Sequence, residues 1–558
     1  MPDRRSVHLI AAEAGSERAA ELLPALCAAG HAAHAHVLPP PAASSADDDS
    51  RLREELALVA RAVREALADG GFLFLADERA ALAVPEAMRV LLDERGLPWD
   101  KAWALTRAAM VVRFGSPRIA PRRPFWLVSF LEAEQPRLLE VLYEINRRHL
   151  DEVDSLWPGD GARRSRLSLF REGEGRRLRP GPLAVVGCSH ADVATPWDGP
   201  AAEILADLAV LRGKALRARP TPLFARHWLV DGNPALAGLL TVTLGDRWPE
   251  EPESLARLET LAFDAVFRDS FRRVRRANRE RLAAWLREAA GVESLPEALV
   301  DVRLGTLAGH ERPLVNVLGL VREHLRLSAG GWTPPAPRTV VLARVAEAAG
   351  PGSERFVELA RAVADVINRD ERARPALRVA VLPECDDEAV RLLAAGADLS
   401  NQPGTAGSGS AGPRALGLAA NGAVTLGTRD GAVRELGEAV GEENLFLFGL
   451  GPLETYAWRE GRVYRPQDVY AIDPLVRLSL DALLSARYAP TPGAFDWVRQ
   501  ELLDQKDPWL VLADLGAYLH RQDEALAEFA DPRAFTEKAI LSLARARRFW
   551  VDRLEVGT

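Results

Sequence analysis

Short apolar runs alternate with helical patterns along nearly the whole chain, and this alternation restricts the fold more than any other feature. The opening segment SVHLIAAEAGSERAAELLPALCAAGHAAHAHVLPP sets the pattern. Val7 to Ala11 reads as a strand, Gly15-Ser16 as a turn and Ala19 to Cys27 as a helix; Gly30 stops that helix, and His34 to Leu38 returns as a second strand. A helix between two strands can pack back onto their sheet when the strands run parallel, so the unit implies a parallel sheet. The pattern resumes with a helix over 51–68, the strand GFLFLAD at 71–77, and helices near 85–95, 99–110 and 135–150. PLAVVGCSH at 182–190 reads as a buried strand ending in a turn, and AAEILADLAVL as the helix after it. In the second half TVVLARV, LRVAVLPE, AVTLGT and NLFLFGL read as strands, with FVELARAVADVIN and EAVRLLAAG as helices, before a helical tail at 509–552. At 558 residues the chain exceeds what one hydrophobic core organises. The expected fold class is therefore α/β, with two doubly wound, Rossmann-like halves whose ligands bind beyond the carboxyl ends of the strands.

Composition narrows the function classes. A net charge of −8 argues against nucleic acid as a partner, because phosphate backbones require a basic face. No run of eighteen apolar residues occurs, so no transmembrane helix is expected, and the MPDRRSVHLIAAEAG start lacks the apolar core of a secretory signal. Cys27, Cys188 and Cys385 are widely separated and have no metal-ligand or disulfide spacing, which fits free thiols in a cytoplasmic protein. Of 71 basic residues only Lys101, Lys214, Lys506 and Lys538 are lysine, so chemistry that needs an amine has four candidates. PPPAASSADDDS reads as an exposed loop, and the basic stretch FRRVRRANRERLAAWLRE (271–288) as a helix with a solvated face. His31, His34 and His36 in GHAAHAH suggest a metal only superficially: His34 and His36 share one face of a strand, but no neighbouring carboxylate or thiol accompanies them, so no metal is expected there. GSGSAG is not set between a strand and a helix as a nucleophile elbow would be.

The segment ADLSNQPGTAGSGSAGPRALGLAANGAVTLGTRDG (397–431) is a glycine-rich turn between apolar runs, the form of a phosphate cradle, yet it contains no lysine. It does not stand alone. YEINRRHLDEV, LPWDKAWALTRAA, VVGCSHADV, ARHWLVDGNPALAGLL, LRVAVLPE, ADLSNQPGTAG, NGAVTLGTRDGAVRE, GEENLFLFGL, KDPWLVLADLGAYLHRQ and FTEKAILSLARARRF are collinear from about residue 70 to 550. Together they resemble the α-glucan (glycogen/starch/maltodextrin) phosphorylase family. The resemblance implies a GT-B fold, with an N-terminal Rossmann-like domain over 1–232, a second over 233–530, and a C-terminal helix over 531–558 crossing back. It also implies phosphorolysis of α-1,4-glucan by pyridoxal phosphate held as a lysine Schiff base. The chain is shorter than a typical member, with the losses expected mainly before residue 70, where the family keeps its dimer-forming and regulatory elements, so neither the dimer nor that regulation is carried over.

Position by position, the resemblance points to an emptied site. The family's STAGTEASGTGNMKF aligns without a gap on GTAGSGSAGPRALGL, placing Gly417 at the Schiff-base lysine, Gly409 at the glutamate that holds glucose hydroxyls, and Pro413-Arg414 at the Thr-Gly pair that binds the cofactor phosphate. Proline has no N–H to donate, so part of the anion nest is lost. The family's VKRIHEYKRQLLN aligns on LGTLAGHERPLVN, putting Gly305 and Thr306 at its Lys-Arg pair, and ENYRVSLAEK on PECDDEAVRL, putting Cys385 and Asp386 at its Tyr-Arg pair. Arginine to aspartate reverses the charge where dianions bind. The GNGGLGRLA motif is reduced to Ala14-Gly15-Ser16, and none of the four lysines stands at a cleft position. Pyridoxal phosphate is therefore expected to be absent.

Two residues are carried over as sugar contacts, His190 of GCSH and Asn233 of DGNPAL, with structural roles as the competing reading: His190 at the end of a strand, Asn233 as the cap of the helix that Pro234 begins. Trp197 in the loop after His190 reads as packing or as a sugar platform. Asp430 and Glu435 of TRDGAVRE read as acids at a helix start, and Asp386, Asp387 and Glu388 as a solvated helix N-terminus or as new acid–base groups. The expected function is a phosphorylase-like pseudoenzyme, a scaffold for an α-glucan or sugar ligand or a protein partner. The alternative is a cofactor-independent glycosyltransferase or other transferase.

Overall fold

Among the described residues, twelve of the fourteen strands form two sheets in which every pair is parallel. The structure is a computed structural model that describes residues 6–11, 32–38, 48–76, 78–114, 126–172, 175–194, 199–219, 221, 223, 226–295, 297–345, 353–408, 412–460 and 464–550. The chain divides into two compact units at Pro220/Thr221.

The first unit contains β1 (Ser6–Ala11), β2 (Ala32–Val37), β3 (Phe72–Leu75), β4 (Met110–Phe114), β5 (Phe170–Arg171), β6 (Arg177–Leu178), β7 (His190–Ala194) and β8 (Leu216–Arg219). Its main sheet has the order β2-β1-β3-β4-β7-β8, and β5 and β6 form a small antiparallel pair. Helices Asp48–Asp69, Ala83–Arg89, Pro136–Leu156 and Pro180–Gly187 supply most of the core with Leu73, Leu75, Met110 and Val112 of the strands. Two expectations need correction here. PLAVVGCSH is not a strand: Pro180–Gly187 is a helix with Pro at its first turn, and the strand starts at His190. Its residues are apolar on all sides because the helix is buried on all sides, and a short apolar run does not distinguish that from a buried strand. Gly187 lets this helix lie on Val84, whose methyl carbons would be 2.4–2.5 Å from a Cβ there. The helix expected over 99–110 stops at Ala108, and Met110–Phe114 is β4. The helix expected at Ala19–Cys27 lies outside the described residues.

The second unit contains β9 (Leu299–Gly305), β10 (Arg338–Val345), β11 (Leu377–Cys385), β12 (Leu399–Gln402), β13 (Val424–Thr428) and β14 (Phe446–Phe448), in the order β11-β10-β9-β12-β13-β14. Counted within the sheet this is 3-2-1-4-5-6, the doubly wound order, with its reversal between β9 and β12. Alternate residues of β9 and β10 serve two cores: Leu299, Val340 and Leu342 join helices Pro313–Ala329, Ser353–Arg369 and Val511–Phe529, whereas Val300, Val302, Leu304, Val341 and Ala343 join Asp387–Gly396, Pro413–Ala420 and Gly431–Val440. Helix Pro532–Arg545 packs in this unit against Pro413–Ala420 and Val511–Phe529; residues 551–558, the rest of the expected C-terminal segment, lie outside the described set. Burial on both faces forces charges to be paired. Arg338 on β10 binds Asp301 of β9 and Glu323, and all three are at most 3% exposed.

Asp507 illustrates the energetic consequence of such burial. Its carboxylate accepts the amides of Val511 (2.8 Å) and Leu512 (2.7 Å) and the Tyr464 hydroxyl (2.7 Å). Burial nonetheless pushes its pKa up, to about 6. A carboxyl whose folded pKa exceeds its unfolded value loses stability as pH rises between the two values. The unfolding free energy of the wild type relative to Asp507→Asn should therefore fall by about 2–3 kcal/mol from pH 4 to pH 7 in denaturant titrations. A difference that is flat or rises with pH would contradict this.

Candidate functional site

In a doubly wound sheet the loops after the strands flanking the reversal meet beyond their carboxyl ends. Here these are the loop from Thr306 to Arg312 after β9 and the loop from Pro403 onward after β12, and they are laced together. Thr405 N–H donates to the His310 carbonyl (2.9 Å), and Arg312 Nε donates to the Pro403 carbonyl (2.6 Å) while its Nη1 pairs with Asp514 (2.6 Å). The glycine-rich stretch is fastened from below by Asp430, whose carboxylate accepts the Gly407 amide at 2.9 Å and the Ser408 hydroxyl at 3.4 Å. Asp430 therefore does not cap its helix with its side chain, as the sequence suggested, but holds the loop. Glu435 is likewise buried and accepts the Thr221 amide at 2.9 Å.

An internal carboxylate occupies the cradle after β9. Glu311, 3% exposed, binds Arg303 at 2.6 Å and accepts the amides of Thr306 (3.0 Å) and Leu307 (3.2 Å). Leu307 takes the left-handed backbone region (φ 52°), which helps to turn consecutive N–H groups toward one point, the geometry of an anion nest. Burial works to raise the Glu311 pKa, but Arg303, His310 and Arg414 outweigh it and hold the carboxyl below its ordinary range. Gly305 is closed off by the same group: a Cβ there would stand 2.3 Å from Glu311 Oε2 and 2.9 Å from Arg303 Nη1. Arg414 lies in the first turn of helix Pro413–Ala420, so Gly305, Thr306 and Arg414 do converge, around Glu311. Gly409 lies outside the described residues, and for Pro413 only its place at the helix start is described.

Gly417 in the same helix faces an indole. A Cβ there would lie 2.4–2.5 Å from Trp228 Cδ2, Cε2 and Cε3, and Trp228 is 1% exposed. A relay of buried amides holds the tryptophan backbone in place. Asn421 Nδ2 donates to the carbonyls of Trp228 (3.1 Å) and Gly417 (2.9 Å), Asn233 Nδ2 donates to Asn421 Oδ1 (2.8 Å), and Asn278 Nδ2 donates to Asn233 Oδ1 (2.9 Å). Asn233 Oδ1 also accepts the Leu236 amide (3.1 Å), capping helix Pro234–Leu244. With Asn233 at 0% exposure, its amide is engaged in this structural role. Asn278 and Arg275 belong to helix Ala265–Ala290, whose basic stretch is thus not only a solvated face. Arg275 is buried and donates to the carbonyls of Ala395, Ala397 and Asn421.

The remaining predicted residues fall in both units. His190 begins β7 in the first unit, beside Val111 of β4, and is half-buried. Cys385 ends β11, buried, with its thiol pushed up to about 12 by burial. Asp386 caps helix Asp387–Gly396 through the Ala389 amide (2.9 Å). Asp387 pairs with His227 Nε2 at 3.2 Å, and that hydrogen bond holds its carboxyl below the ordinary range. Lys101, Lys214 and Lys506 are exposed, and Lys538 donates to the Glu443 carbonyl (2.8 Å). Trp197 and His31 lie outside the described residues. One absence expected from sequence is corrected in the first unit: His8, His36 and Glu65 do cluster, so a carboxylate stands beside the histidines.

Residues 55–555 match the carbohydrate phosphorylase family. The chain belongs to that family. It is 29% identical over 536 residues to a glycogen phosphorylase of Chlamydia pneumoniae, covering 93% of this chain and 65% of the relative. With a glycogen phosphorylase of Synechocystis sp. it shares 32% over 482 residues (86% and 56%), and with the human liver form 29% over 504 residues (88% and 58%). The chain thus spans between 56% and 65% of the length of these relatives.

Set against the family's pattern, the two residues that define this site are ones the sequence did not single out. Trp228 stood unremarked in the family-like ARHWLVDG, and Glu311 in AGHERP. The available signal was Gly417 itself, because an added glycine in a buried helix implies that something fills its space. Gly417→Ala should destabilise the fold by about 2 kcal/mol or more through overpacking, and Trp228→Ala by about 3–5 kcal/mol through a cavity. In a denaturant double-mutant cycle the pair should cost at least about 1 kcal/mol less than the sum. Strict additivity would show that Trp228 does not fill the Gly417 position.

Proposed function

We propose that this family member is a phosphorylase-like pseudoenzyme that does not hold pyridoxal phosphate and does not carry out phosphorolysis. The observation that carries the reading is double occupancy from within. The position assigned to the Schiff-base lysine is Gly417 with the Trp228 indole in its space, and the cradle after β9 holds the Glu311 carboxylate. A Schiff base needs a partly desolvated amine at the reacting position, and a bound phosphate needs free N–H donors and cations. Glu311 takes both donors and one arginine. Residues of this kind do not fit the cofactor, and no catalytic step is routed through it.

The two parallel-sheet units correspond in this reading to the Rossmann-like halves of a GT-B fold, retained in the cytoplasm as a binding scaffold. Its ligand is an α-glucan or a sugar phosphate, with His190 among the sugar contacts, or a protein partner. The retained framework supports this, since both sheets and their cores are intact while most of the substitutions lie around the carboxyl ends of the second unit's strands. A second reading, a cofactor-independent transferase, is favoured by one observation, the His227–Asp387 pair after β11, which has the form of a general acid–base dyad.

The purified protein supplied with pyridoxal phosphate should retain no cofactor absorbance after dialysis and release no glucose 1-phosphate from maltoheptaose and phosphate; release would sink the proposal. Calorimetry with maltoheptaose should show binding that weakens about tenfold in His190→Ala, the loss of one good hydrogen bond. Turnover of sugar donors that disappears in His227→Ala would support the transferase instead. The internal anion has its own test. Glu311→Ala opens the nest, so inorganic phosphate should raise the melting temperature of that variant above its value in chloride of equal ionic strength, with no such difference in the wild type.

A further inference from the structure

The first unit carries a second constellation, on the face of its sheet that helix Asp48–Asp69 covers at β1 and β2. In β1 and β2 the pairing places His8 opposite His34 and Ile10 opposite His36, so His8 and His36 are diagonal neighbours on one face. Glu65 and Asp69 stand one turn apart on helix Asp48–Asp69, which packs over these strands. Three lone-pair atoms converge: His8 Nδ1 to His36 Nε2 is 3.1 Å, His36 Nε2 to Glu65 Oε2 is 3.6 Å, and His8 Nδ1 to Glu65 Oε2 is 4.0 Å. Ligands bonded to one tetrahedral zinc at 2.0–2.1 Å are separated by about 3.3 Å, so this triangle is close to one face of such a site.

The surroundings orient these atoms toward the triangle. His8 Nε2 lies 3.0 Å from Asp69 Oδ2, and a proton on Nε2 donated to that carboxylate leaves the Nδ1 lone pair on the triangle side. This is the carboxylate–histidine arrangement that fixes tautomer and ring angle at metal centres. Asp69 is itself clamped: Ser6 Oγ donates to Oδ2 at 2.6 Å and the Gly71 amide to Oδ1 at 3.0 Å. Only glycine fits beside that clamp, because a Cβ at Gly71 would stand 2.3 Å from Ser6 Oγ and 2.8 Å from Asp69 Oδ1. His8 and His36 are buried, whereas Glu65 is half-exposed and leaves one side open to solvent. Arg61 approaches the other oxygen of Glu65, Oε1, at 4.0 Å, leaving Oε2 to the cluster. His34 stacks on the His8 ring with centroids 4.9 Å apart.

We propose that His8, His36 and Glu65 form a binding site for a divalent transition metal of the zinc class, oriented by Asp69 and open at its fourth position. Two imidazoles and one carboxylate suit zinc, cobalt or nickel and disfavour magnesium and calcium, which take all-oxygen shells. The site does not depend on the phosphorylase reading. The competing occupant is a proton shared between the two rings.

The full-length chain, stripped with chelator and titrated with Co2+, should develop the visible ligand-field bands of a tetrahedral centre, saturating at one ion per chain and displaced by Zn2+. His36→Ala and Glu65→Gln should abolish the bands, and Asp69→Asn should weaken binding about 10–100-fold, as loss of an orienting carboxylate does. Glu65 is half-exposed, so Glu65→Gln keeps the fold, as its circular dichroism should show. Absence of the bands in the wild type, or their persistence in both His36→Ala and a folded Glu65→Gln, would overturn the site and leave the shared proton as its occupant.

Discussion

A parallel sheet has to be covered by helices on both faces, and this requirement governs the molecule. It leaves the strand carboxyl ends as the places where backbone groups and side chains are free to meet a ligand. It also makes each polar group inside the layers dependent on a specific partner, as Arg338 depends on Asp301 and Glu323. At the reversal between β9 and β12 the same rule applies to the site itself. An anion nest lined by Arg303 and Arg414 is satisfied within the chain, by Glu311.

The buried amide relay gives the Trp228 region its rigidity. Asn278, Asn233 and Asn421 each join a different helix or loop, and each passes a hydrogen bond to the next until the last reaches the Trp228 and Gly417 carbonyls. Removing one member leaves buried donors or acceptors unsatisfied, which costs more than the bond contributes. The indole is therefore a fixed part of the second unit's core, and the glycine across from it is its steric complement.

Much of the architecture was legible in the alternation of runs: TVVLARV, LRVAVLPE and AVTLGT are β10, β11 and β13, as their periodicity suggests. The failures have specific causes. PLAVVG is apolar throughout because its helix is buried on every side. β4 was concealed because its apolar residues continue directly from the helix before it. β9 carries Asp301 and Arg303 and β12 reads LSNQ, so neither looks like a buried strand, yet all their residues are buried: Asp301 pairs with Arg338 and Asn401 from neighbouring strands, and Arg303 with Glu311 of the loop that follows β9. The carboxylates beside the histidines of GHAAHAH are hidden in the sequence because Glu65 and Asp69 are distant along the chain and reach His8 and His36 only through the packing of a helix.

The sequence by itself determined that the chain forms parallel α/β units, and that no side chain stands at Gly305 or Gly417. These are local properties, carried by periodicity and by residue identity within a collinear match. Tertiary structure alone decided which groups lie against those glycines and which side chains meet. Trp228 meets Gly417, Glu311 folds back on Gly305, and His8, His36 and Glu65 converge, because contacts between segments remote in sequence depend on how the helices pack over the sheets. Local pattern specifies the layers, and packing between them specifies which atoms share a site.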